Sequence, residues 1–456
     1  MNMEESVLNE YREFVRFPSV GADPAHLKDT VDCATWLKNW FEKLDFSVDL
    51  CLPEKGAAAF APPVVFATRP GEEGGATILV YGHYDVQPVD PIAEWRTPPF
   101  ELTVVDERLY ARGAQDDKGQ LFAFLCGLRD FLAQAPSRDA PPRPTIKFVL
   151  DGQEESASAA LTALAADATF RRRLAADVLL VCDTSAGAAL RPAIVAGLRG
   201  VSHFTVRLTG SSRDLHSGEY GGIAPNAAQA IAELVASLHT PDGAIAVAGF
   251  REGIEPPTEE ERRLAELGAM SEAAYADEIG CEPVGGQVGK TIVERNSFQP
   301  TIEVNGLHSG YAGPGAKTII PSTAYAKISM RLVPGQSPNG ALAAVKRHLE
   351  ANVPRGMKLT FEEADAGAPA FRLPLASPVF RLAVEVLTEM DARGPVFQWD
   401  GASIPVLSVL REASGAAPLI VGWGQSEDCI HAPNESYSFV QFAKAREWAG
   451  RILSVL

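Results

Sequence analysis

The chain lacks the features that mark several large classes of protein. No apolar segment among its 456 residues approaches the roughly 20 residues that a membrane-spanning helix needs. The N-terminal residues are acidic and contain no apolar signal segment, so we expect neither membrane insertion nor secretion. The chain also lacks an excess of positive charge, since 58 acidic residues outnumber 41 basic ones and the formal net charge is -17, which argues against nucleic acid and anionic membranes as partners.

Paired cysteines are absent as well. The six cysteines are dispersed along the chain, and no Cys-x-x-Cys pair occurs. In a chain of this length, scattered cysteines are typical of reduced and mostly buried thiols. The sequence therefore predicts a cytoplasmic protein.

Two common catalytic motifs are missing. The chain has no Gly-x-Ser-x-Gly elbow of the kind that serine hydrolases use. The segment Gly285–Thr291 ends like a nucleotide-binding P-loop, but Val284 stands where the leading glycine is required, and no buried strand precedes it. We therefore reject the serine-hydrolase and nucleotide-binding interpretations.

Strands and helices alternate along the first part of the chain. Apolar runs rich in β-branched residues at 76–81, 145–150 and 177–181 predict buried strands, and helical patterns occupy stretches between them. This alternation predicts an α/β domain with a doubly wound, mainly parallel sheet. A chain of 456 residues is too long for one ordinary core, so a second domain is expected.

The pattern changes near residue 197. Strands with one exposed face and two helices follow, which indicates a smaller α+β domain inserted into the first. The acidic segment 256–279 within it is predicted to be helical with a solvated charged face. We expect residues 1–197 and 366–456 to form the outer domain and residues 198–365 to form the inserted domain.

Histidine and carboxylate side chains gather where predicted strands end. His83 and Asp85 follow the strand 76–81, at the edge of an α/β sheet where ligands bind. Further candidates come from other strand ends, a helix start and a loop near the C-terminus: Asp116, Asp117, Glu154, Glu155, Asp183 and His431. Each has an ordinary alternative, such as helix capping for the paired aspartates or a solvated loop for the paired glutamates.

Taken together, these side chains favour a metal site. Carboxylates gathered at one edge without partners would repel each other and would be costly to remove from water. Two divalent metal ions would remove that conflict. A donor set of imidazole and carboxylate groups suits zinc, with manganese or cobalt as substitutes. The residues therefore predict a dinuclear metal centre at the carboxyl ends of the parallel strands.

Eight short segments form a specific set of motifs, in order over nearly the whole chain. They are GHYDV (82–86), ARGAQDDKG (111–119), DGQEES (151–156), VCDTS (181–185), DLHSGEYGG (214–222), KTIIP (317–321), MRLVP (330–334) and IHAPNE (430–435). Together they resemble the M20 metallopeptidase family, and most closely its cytosolic nonspecific dipeptidase and carnosinase-like branch. The resemblance implies that the outer domain is catalytic and that the inserted domain is a lid and dimerisation domain.

The resemblance also implies the metal ligands. Asp116 would bridge the two ions. His83 and Asp183 would hold one ion, and Glu155 and His431 would hold the other. Family members with aspartate at the position of Asp183 tend to be dipeptidases and tripeptidases.

Further roles follow from the same resemblance. Asp85 would orient His83, and Glu154 would be the general base that activates a water between the metals. His216 would act in the active site of the partner subunit of a homodimer, where it would stabilise the oxyanion. Three residues would bind the substrate carboxylate: Arg331, Thr318 and Ser403.

These roles predict a dinuclear metal-dependent hydrolase. It would cleave the amide bond of dipeptides or other small peptides that carry a free C-terminal carboxylate. An N-acyl or N-carbamoyl amino-acid amidohydrolase of the same fold is the alternative within this class. A non-catalytic scaffold with remnants of a metal site is the alternative from another class, and the complete set of five ligands plus Glu154 argues against it.

Overall fold

The computed structural model of the protein describes residues 3–54, 61–135, 141–401 and 404–456. It divides into two compact units, each described by itself below. The first unit comprises Met1–Ala196, Leu373–Gln398 and Val406–Leu456, and the second comprises Gly197–Arg372 and Trp399–Pro405. The expected boundary at residue 365 falls inside a strand, Lys358–Ala368, and the second unit continues beyond that strand.

Helices and strands are numbered in chain order. The α-helices are α1 (Glu5–Val15), α2 (Leu27–Glu42), α3 (Lys118–Ala133), α4 (Ala159–Ala166), α5 (Ala168–Leu174), α6 (Ser217–Tyr220), α7 (Ala227–Ala236), α8 (Glu259–Gly268), α9 (Glu272–Ile279), α10 (Pro338–Ala351), α11 (Pro378–Met390), α12 (Pro405–Ser414) and α13 (Phe439–Val455). The strands are β1 (Ser47–Cys51), β2 (Val64–Arg69), β3 (Thr77–His83), β4 (Thr103–Val105), β5 (Arg108–Tyr110), β6 (Thr145–Asp151), β7 (Val178–Val181), β8 (Ala193–Leu198), β9 (Gly200–Thr209), β10 (Leu215–His216), β11 (Thr301–Ser309), β12 (Ile319–Ile320), β13 (Thr323–Leu332), β14 (Lys358–Ala368), β15 (Phe371–Arg372), β16 (Val396–Asp400), β17 (Ala417–Ile420) and β18 (Ser436–Ser438).

The first unit is built on a six-stranded sheet with the order β1-β2-β6-β3-β7-β17. Strand β3 pairs in parallel with β6 and β7, and β7 pairs in parallel with β17. Strand β2 runs antiparallel to both of its neighbours, β1 and β6. In β3 every residue from Ile78 to His83 is buried, as its apolar run predicts. The sheet is mainly parallel, which confirms the predicted fold class of this part of the chain.

Helix α3 packs against both β3 and the C-terminal helix α13. Every residue of α3 from Lys118 to Leu128 is buried. Gly127 allows the close approach of α13, because a Cβ atom there would lie 2.3 Å from the backbone oxygen of Arg446. Phe442 and Ile452 are among the buried residues of α13. This packing holds α3 in place, and its first residue, Lys118, directly follows the candidate site residues Asp116 and Asp117.

The second unit contains a four-stranded antiparallel sheet with the order β11-β13-β9-β14. Helices α7 and α10 share one apolar core with this sheet, in which Phe204, Ile231, Met330 and Val345 are buried. Helices α8 and α9 form the acidic segment that the sequence predicts to be helical. This is the α+β architecture expected for the inserted domain.

All six cysteines lie in the described residues, and each is a free thiol. Burial raises the pKa of Cys33 to about 11 and that of Cys126 to about 12, so both thiols stay protonated near neutral pH. Among the helices of the described ranges, none has the length and apolar character needed to cross a membrane.

Candidate metal centre

Five side chains predicted as metal ligands come to one edge of the central sheet. His83 is the last residue of β3, and Asp183 lies two residues beyond β7. Glu155 lies in the 3-10 turn that follows β6, and Asp116 lies two residues before α3. His431 comes from the loop that leads into β18. Because β3, β6 and β7 are parallel neighbours, their carboxyl ends meet at the same edge.

Three of these residues form a first group. The Nε2 atom of His83 lies 3.1 Å from Oδ1 of Asp116 and 3.6 Å from Oδ2 of Asp183. One ligand atom from each residue lies within 4.8 Å of the other two. The side chains of His83 and Asp116 are buried, so this group is largely shielded from water.

A second group shares Asp116 with the first. Its Oδ2 atom lies 2.8 Å from Nε2 of His431, and that nitrogen lies 3.3 Å from Oε2 of Glu155. Asp116 therefore turns one carboxylate oxygen to each group, which is how a ligand that bridges two ions would be placed. The His431 side chain is 52% exposed, so this group faces solvent more than the first.

Asp85 forms hydrogen bonds both to the imidazole of His83 and to the turn that contains Glu154 and Glu155. Its Oδ1 atom and its carbonyl oxygen lie 3.3 and 3.1 Å from Nδ1 of His83, which donates its proton to them. The same carboxylate accepts hydrogen bonds from the backbone N–H groups of Glu154, at 3.1 Å, and Glu155, at 3.2 Å. Gly21 packs against it, since a Cβ atom at Gly21 would lie 2.3 Å from Oδ2 of Asp85. One buried carboxylate thus sets the positions of residues in both groups.

The cluster holds crowded negative charge. Burial, together with the charges of Asp116 and Glu155, raises the pKa of Asp183 to about 7. Hydrogen bonds to Asp116 and Glu155 raise the pKa of His431 to about 10. Within the described residues, Oε1 of Glu155 is buried and has no hydrogen-bond partner. Cations bound by these nitrogen and oxygen atoms would neutralise the cluster, so the residues present fit two divalent metal ions.

Glu154 lies beside the cluster but belongs to neither of the two groups. Burial and the negative charges of Asp183 and Glu155 raise the pKa of the Glu154 carboxyl to about 8. The hydrogen bond from its backbone to Asp85 fixes the position of the residue without using its side chain. A carboxyl group placed in this way is available to take up and release a proton.

Three further predicted residues, His216, Thr318 and Arg331, belong to the second unit. The backbone N–H of Ser217 donates to the carbonyl oxygen of Thr318 at 3.0 Å, in the short ladder of β10 and β12, so His216 and Thr318 are near neighbours. Arg331 lies near the end of β13, in the central part of the four-stranded sheet. Ser403 lies outside the described residues. The roles of these residues in binding substrate stay predictions.

The structure shows a different role for the candidate Asp117, and it shows further residues that hold the ligands in place and that the sequence analysis missed. The side chain of Asp117 does not cap α3, and instead accepts a 3.1 Å hydrogen bond from the backbone N–H of the last residue of β3. Gln87 donates from Nε2 to Oε2 of Glu155 at 2.7 Å. A buried ion pair also joins two of the motif segments: Arg112 and Glu435. Arg112 lies in the motif ARGAQDDKG (111–119) and Glu435 in the motif IHAPNE (430–435). Their presence in these motifs was the only signal for them in the sequence.

Comparison with known proteins gives consistent matches over most of the chain. The model of peptidase family M20/M25/M40 matches residues 79–454. The chain is 28% identical over 421 residues to the beta-Ala-His dipeptidase of Rattus norvegicus, covering 90% of this chain and 83% of that protein. It is 28% identical over 446 residues to a Cys-Gly metallodipeptidase of Schizosaccharomyces pombe, covering 94% of this chain and 91% of that protein.

A solved structure extends this comparison to three dimensions. The M20 family metallo-carboxypeptidase Sso-CP2 of Sulfolobus solfataricus superimposes with a TM-score of 0.84 at 27% identity, covering 99% of each chain. The resemblance to the M20 family and to its dipeptidase and carnosinase-like branch is therefore confirmed. Since the family model spans most of the sequence, this chain belongs to peptidase family M20/M25/M40 and is a metallopeptidase.

Proposed function

We propose that this protein uses two divalent metal ions per subunit to hydrolyse dipeptides and other small peptides that have a free C-terminal carboxylate. The observation that carries the proposal is Asp116, which turns one oxygen to each of two imidazole-containing groups. Relatives named as dipeptidases match most of the chain, which supports a small peptide as substrate. Zinc is the expected metal, with manganese or cobalt as substitutes.

The two groups described above would hold the ions. When bound, the ions polarise the carbonyl group of the scissile amide and lower the pKa of a bound water. Asp85 accepts the hydrogen bond from Nδ1–H of His83, so the proton of the neutral ring stays on Nδ1. The lone pair of Nε2 is then free to bind metal. The first ion would bind to His83, Asp116 and Asp183, and the second to Asp116, Glu155 and His431.

Glu154 would move the protons of the reaction. As general base it would take a proton from the attacking water, and as general acid it would pass that proton to the leaving amine. Its pKa of about 8 in the absence of cations places it close to neutral pH. Nearby positive charge would lower that pKa and favour the carboxylate, which is the form that accepts the proton.

His216 is suited to stabilise an oxyanion. Its Nδ1 atom accepts a 3.1 Å hydrogen bond from the backbone N–H of Gly218, so the neutral ring carries its proton on Nε2. A proton on Nε2 makes the exposed side of the ring a hydrogen-bond donor. We assign this donor to the active site of the partner subunit, as the family resemblance implies.

Arg331 would bind the carboxylate of the substrate. Its guanidinium group can form two parallel hydrogen bonds to a carboxylate. A second arginine, Arg199, lies two residues before Val201, which pairs with Arg331 across β9 and β13. Burial, together with the charge of Arg331, lowers the pKa of Arg199 to about 10. Arg199 donates from Nε to the carbonyl oxygen of Gly401 at 3.1 Å, in the segment that leads to Ser403. The charge of Arg199 adds to the attraction of Arg331 for an anionic group, against the negative charges of Asp400 and Glu303 nearby.

The second unit offers a surface for a homodimer. Strand β11 is an outer strand of the four-stranded sheet, and its residues Val304 and Leu307 are 41% and 54% exposed. An outer strand with exposed apolar side chains can pair with another chain. A second copy of the same strand would cover these residues on both subunits.

The decisive experiment is turnover of a substrate panel by zinc-loaded protein. The panel contains free dipeptides, N-blocked dipeptides, N-acetyl amino acids and N-carbamoyl amino acids. We expect free dipeptides to be cleaved fastest, with activity lost on chelation and restored by zinc, manganese or cobalt. Faster cleavage of N-blocked dipeptides would indicate a carboxypeptidase, as in the solved structure named above. Faster cleavage of acetyl or carbamoyl amino acids would indicate the amidohydrolase alternative.

A further inference from the structure

Glu435 is a fully buried carboxylate with four hydrogen-bond donors around it. Its Oε1 atom accepts from the backbone N–H groups of Gln115, at 2.8 Å, and Asp116, at 3.0 Å. Its Oε2 atom accepts from the backbone N–H of Gly113, at 2.9 Å, and from Nη1 of Arg112, at 2.7 Å. The carboxylate therefore holds the backbone of the segment that ends in Asp116.

Arg112 is also buried and extends this network to two other loops. Its Nη2 atom donates to the carbonyl oxygen of Pro88 at 3.1 Å and to that of Ala432 at 3.3 Å. Pro88 lies in the loop that follows β3, and Ala432 is the residue after His431. The ion pair between Arg112 and Glu435 thus connects three segments that carry candidate metal ligands.

The loop around His431 needs such support. His431 has a φ angle of 61°, and Cys429 and Asn434 have φ angles of 56° and 66°. These angles lie in the left-handed region, which residues other than glycine rarely adopt. Such a backbone conformation persists only where surrounding contacts determine it. The bond from Arg112 to Ala432 is one of those contacts, directly beside the ligand.

We propose that Glu435 and Arg112 are positioning residues that set the distance between Asp116 and His431, and so shape both metal sites. This inference rests on the proposed function, because it assumes that these groups bind metal. Glu435 acts on the backbone of Asp116 itself, so a shift there would move the one ligand that serves both ions. Glu435 belongs to neither candidate metal group, and Arg112, as a cation, has no side-chain atom that binds metal, so their effect would pass through the ligands.

The test measures the binding of Co²⁺. The d–d absorption spectrum of the bound ion reports its ligand geometry, and competition with a chelator of known affinity gives the dissociation constants. Glu435→Gln keeps the shape of the side chain but turns an amide NH₂ toward some of the N–H donors, which then lack an acceptor. Residues that orient metal ligands typically contribute about 10- to 100-fold to metal affinity. We therefore expect Glu435→Gln to bind Co²⁺ at least tenfold more weakly than wild type, with a changed d–d spectrum.

Asp428→Asn is the matched control. Asp428 is a fully buried carboxylate three residues before His431, and it pairs with Arg108 at 2.5 Å. Its remaining partners, Gln425 and Gln441, do not carry candidate ligands. We expect this variant to lose thermal stability while it keeps cobalt affinity and spectrum close to wild type. An equal loss of cobalt affinity in both variants would overturn the specific role of Glu435.

Two further outcomes separate the inference from the proposed function. Wild-type protein that binds no Co²⁺ would refute the proposed function and this inference with it. If wild-type protein binds two equivalents of Co²⁺, and a folded Glu435→Gln variant binds them with the same affinities and the same spectrum, the inference alone is refuted. If Glu435→Gln does not fold, Arg112→Lys replaces it, because lysine keeps the charge but lacks the planar fork that reaches both Pro88 and Ala432. Unchanged cobalt binding by Arg112→Lys would overturn the proposal, and weaker binding would support it.

Discussion

The two units place the residues for which the sequence predicts functional roles in different surroundings. In the first unit His83 and Asp85 are fully buried, and each is held by several hydrogen bonds. In the second unit His216 and Thr318 are exposed. Buried and fully bonded polar groups are fixed in one arrangement, which suits metal binding, whereas exposed groups can adjust to a substrate or a partner. Substitutions in the first unit should therefore change metal content or turnover, and those in the second should change recognition.

The largest effects are expected inside the first unit, where two substitutions should separate metal binding from proton transfer. Asp116→Ala removes an oxygen donor from both groups, so we expect loss of both metals and of all measurable turnover. Glu154→Gln should keep both metals but lower kcat by about 10²–10⁴-fold or more, because a general base typically contributes a factor of that size to the rate. Elemental analysis and steady-state kinetics check both. A Glu154→Gln variant with a near-normal rate would show that Glu154 is not the base.

A mixing experiment tests whether the second unit acts across a dimer. His216→Ala and Glu154→Gln are each expected to be inactive as homodimers. If His216 acts in the partner subunit, each heterodimer has one site with both lesions and one intact site. Random pairing should then restore activity to roughly a quarter of wild type. If His216 acts in its own subunit, every site carries one lesion and the mixture stays inactive.

The control for this experiment is His348→Ala. His348 is another histidine of the second unit, and it lies on α10, where its Nε2 atom is 2.9 Å from Oγ of Ser237. We expect His348→Ala to be active alone, so that mixing it with Glu154→Gln gives only the activity that His348→Ala itself contributes. A fully active wild-type monomer, shown by light scattering at assay concentration, would contradict the dimer proposal.

The fold, and the meeting of polar side chains at one edge of the sheet, could be predicted for a physical reason, whereas the assignment of those side chains to two metal ions came from the family resemblance. The apolar run before His83 marks a buried strand, and the carboxyl ends of parallel strands must meet at one edge. The ion pair of Arg112 and Glu435 joins residues 323 positions apart, and local patterns carry no information about such a pairing. Asp117 looked like a helix cap, but its bond to the backbone of His83 depends on how α3 packs against β3. Helix α13 was not predicted, although its buried residues recur at helical spacing.

Within the second unit, Arg331→Lys should weaken substrate binding and leave the metals in place. Lysine cannot form the paired hydrogen bonds of a guanidinium group. A hydrogen bond to a charged group contributes about 1.5–3 kcal/mol, so we expect KM for dipeptides to rise about tenfold or more. Arg207→Lys is the control, since Arg207 pairs with Glu362 at 2.7 and 3.1 Å on β9 of the same sheet. Equal rates on free and C-terminally amidated dipeptides would contradict the assignment of Arg331.

The smallest effect concerns the pH dependence of stability without metal, which should arise from the buried cluster of the first unit. The pKa of His431 is raised from 6.5 to about 10, so its contribution to stability is full below 6.5 and is lost as pH rises through 10. Asp183 and Glu154 have pKa values raised to about 7 and 8, so the folded protein also releases their protons as pH rises. For each of these three groups the folded state binds more protons than the unfolded state. Each contribution to the free energy of unfolding therefore decreases as pH rises.

The melting temperature of metal-free protein should therefore decrease by a few degrees between about pH 5 and 9, as followed by circular dichroism. Hydrogen bonds from His431 and His83 hold the pKa of Asp116 below its usual range against the effect of burial, so its contribution changes only in stronger acid, outside this interval. Zinc should remove most of the decrease, because bound cations replace the protons as the positive charge of the cluster. A melting temperature that stays level or rises with pH in metal-free protein would show that the buried cluster does not hold these protons, and that the contrast between the units has another cause.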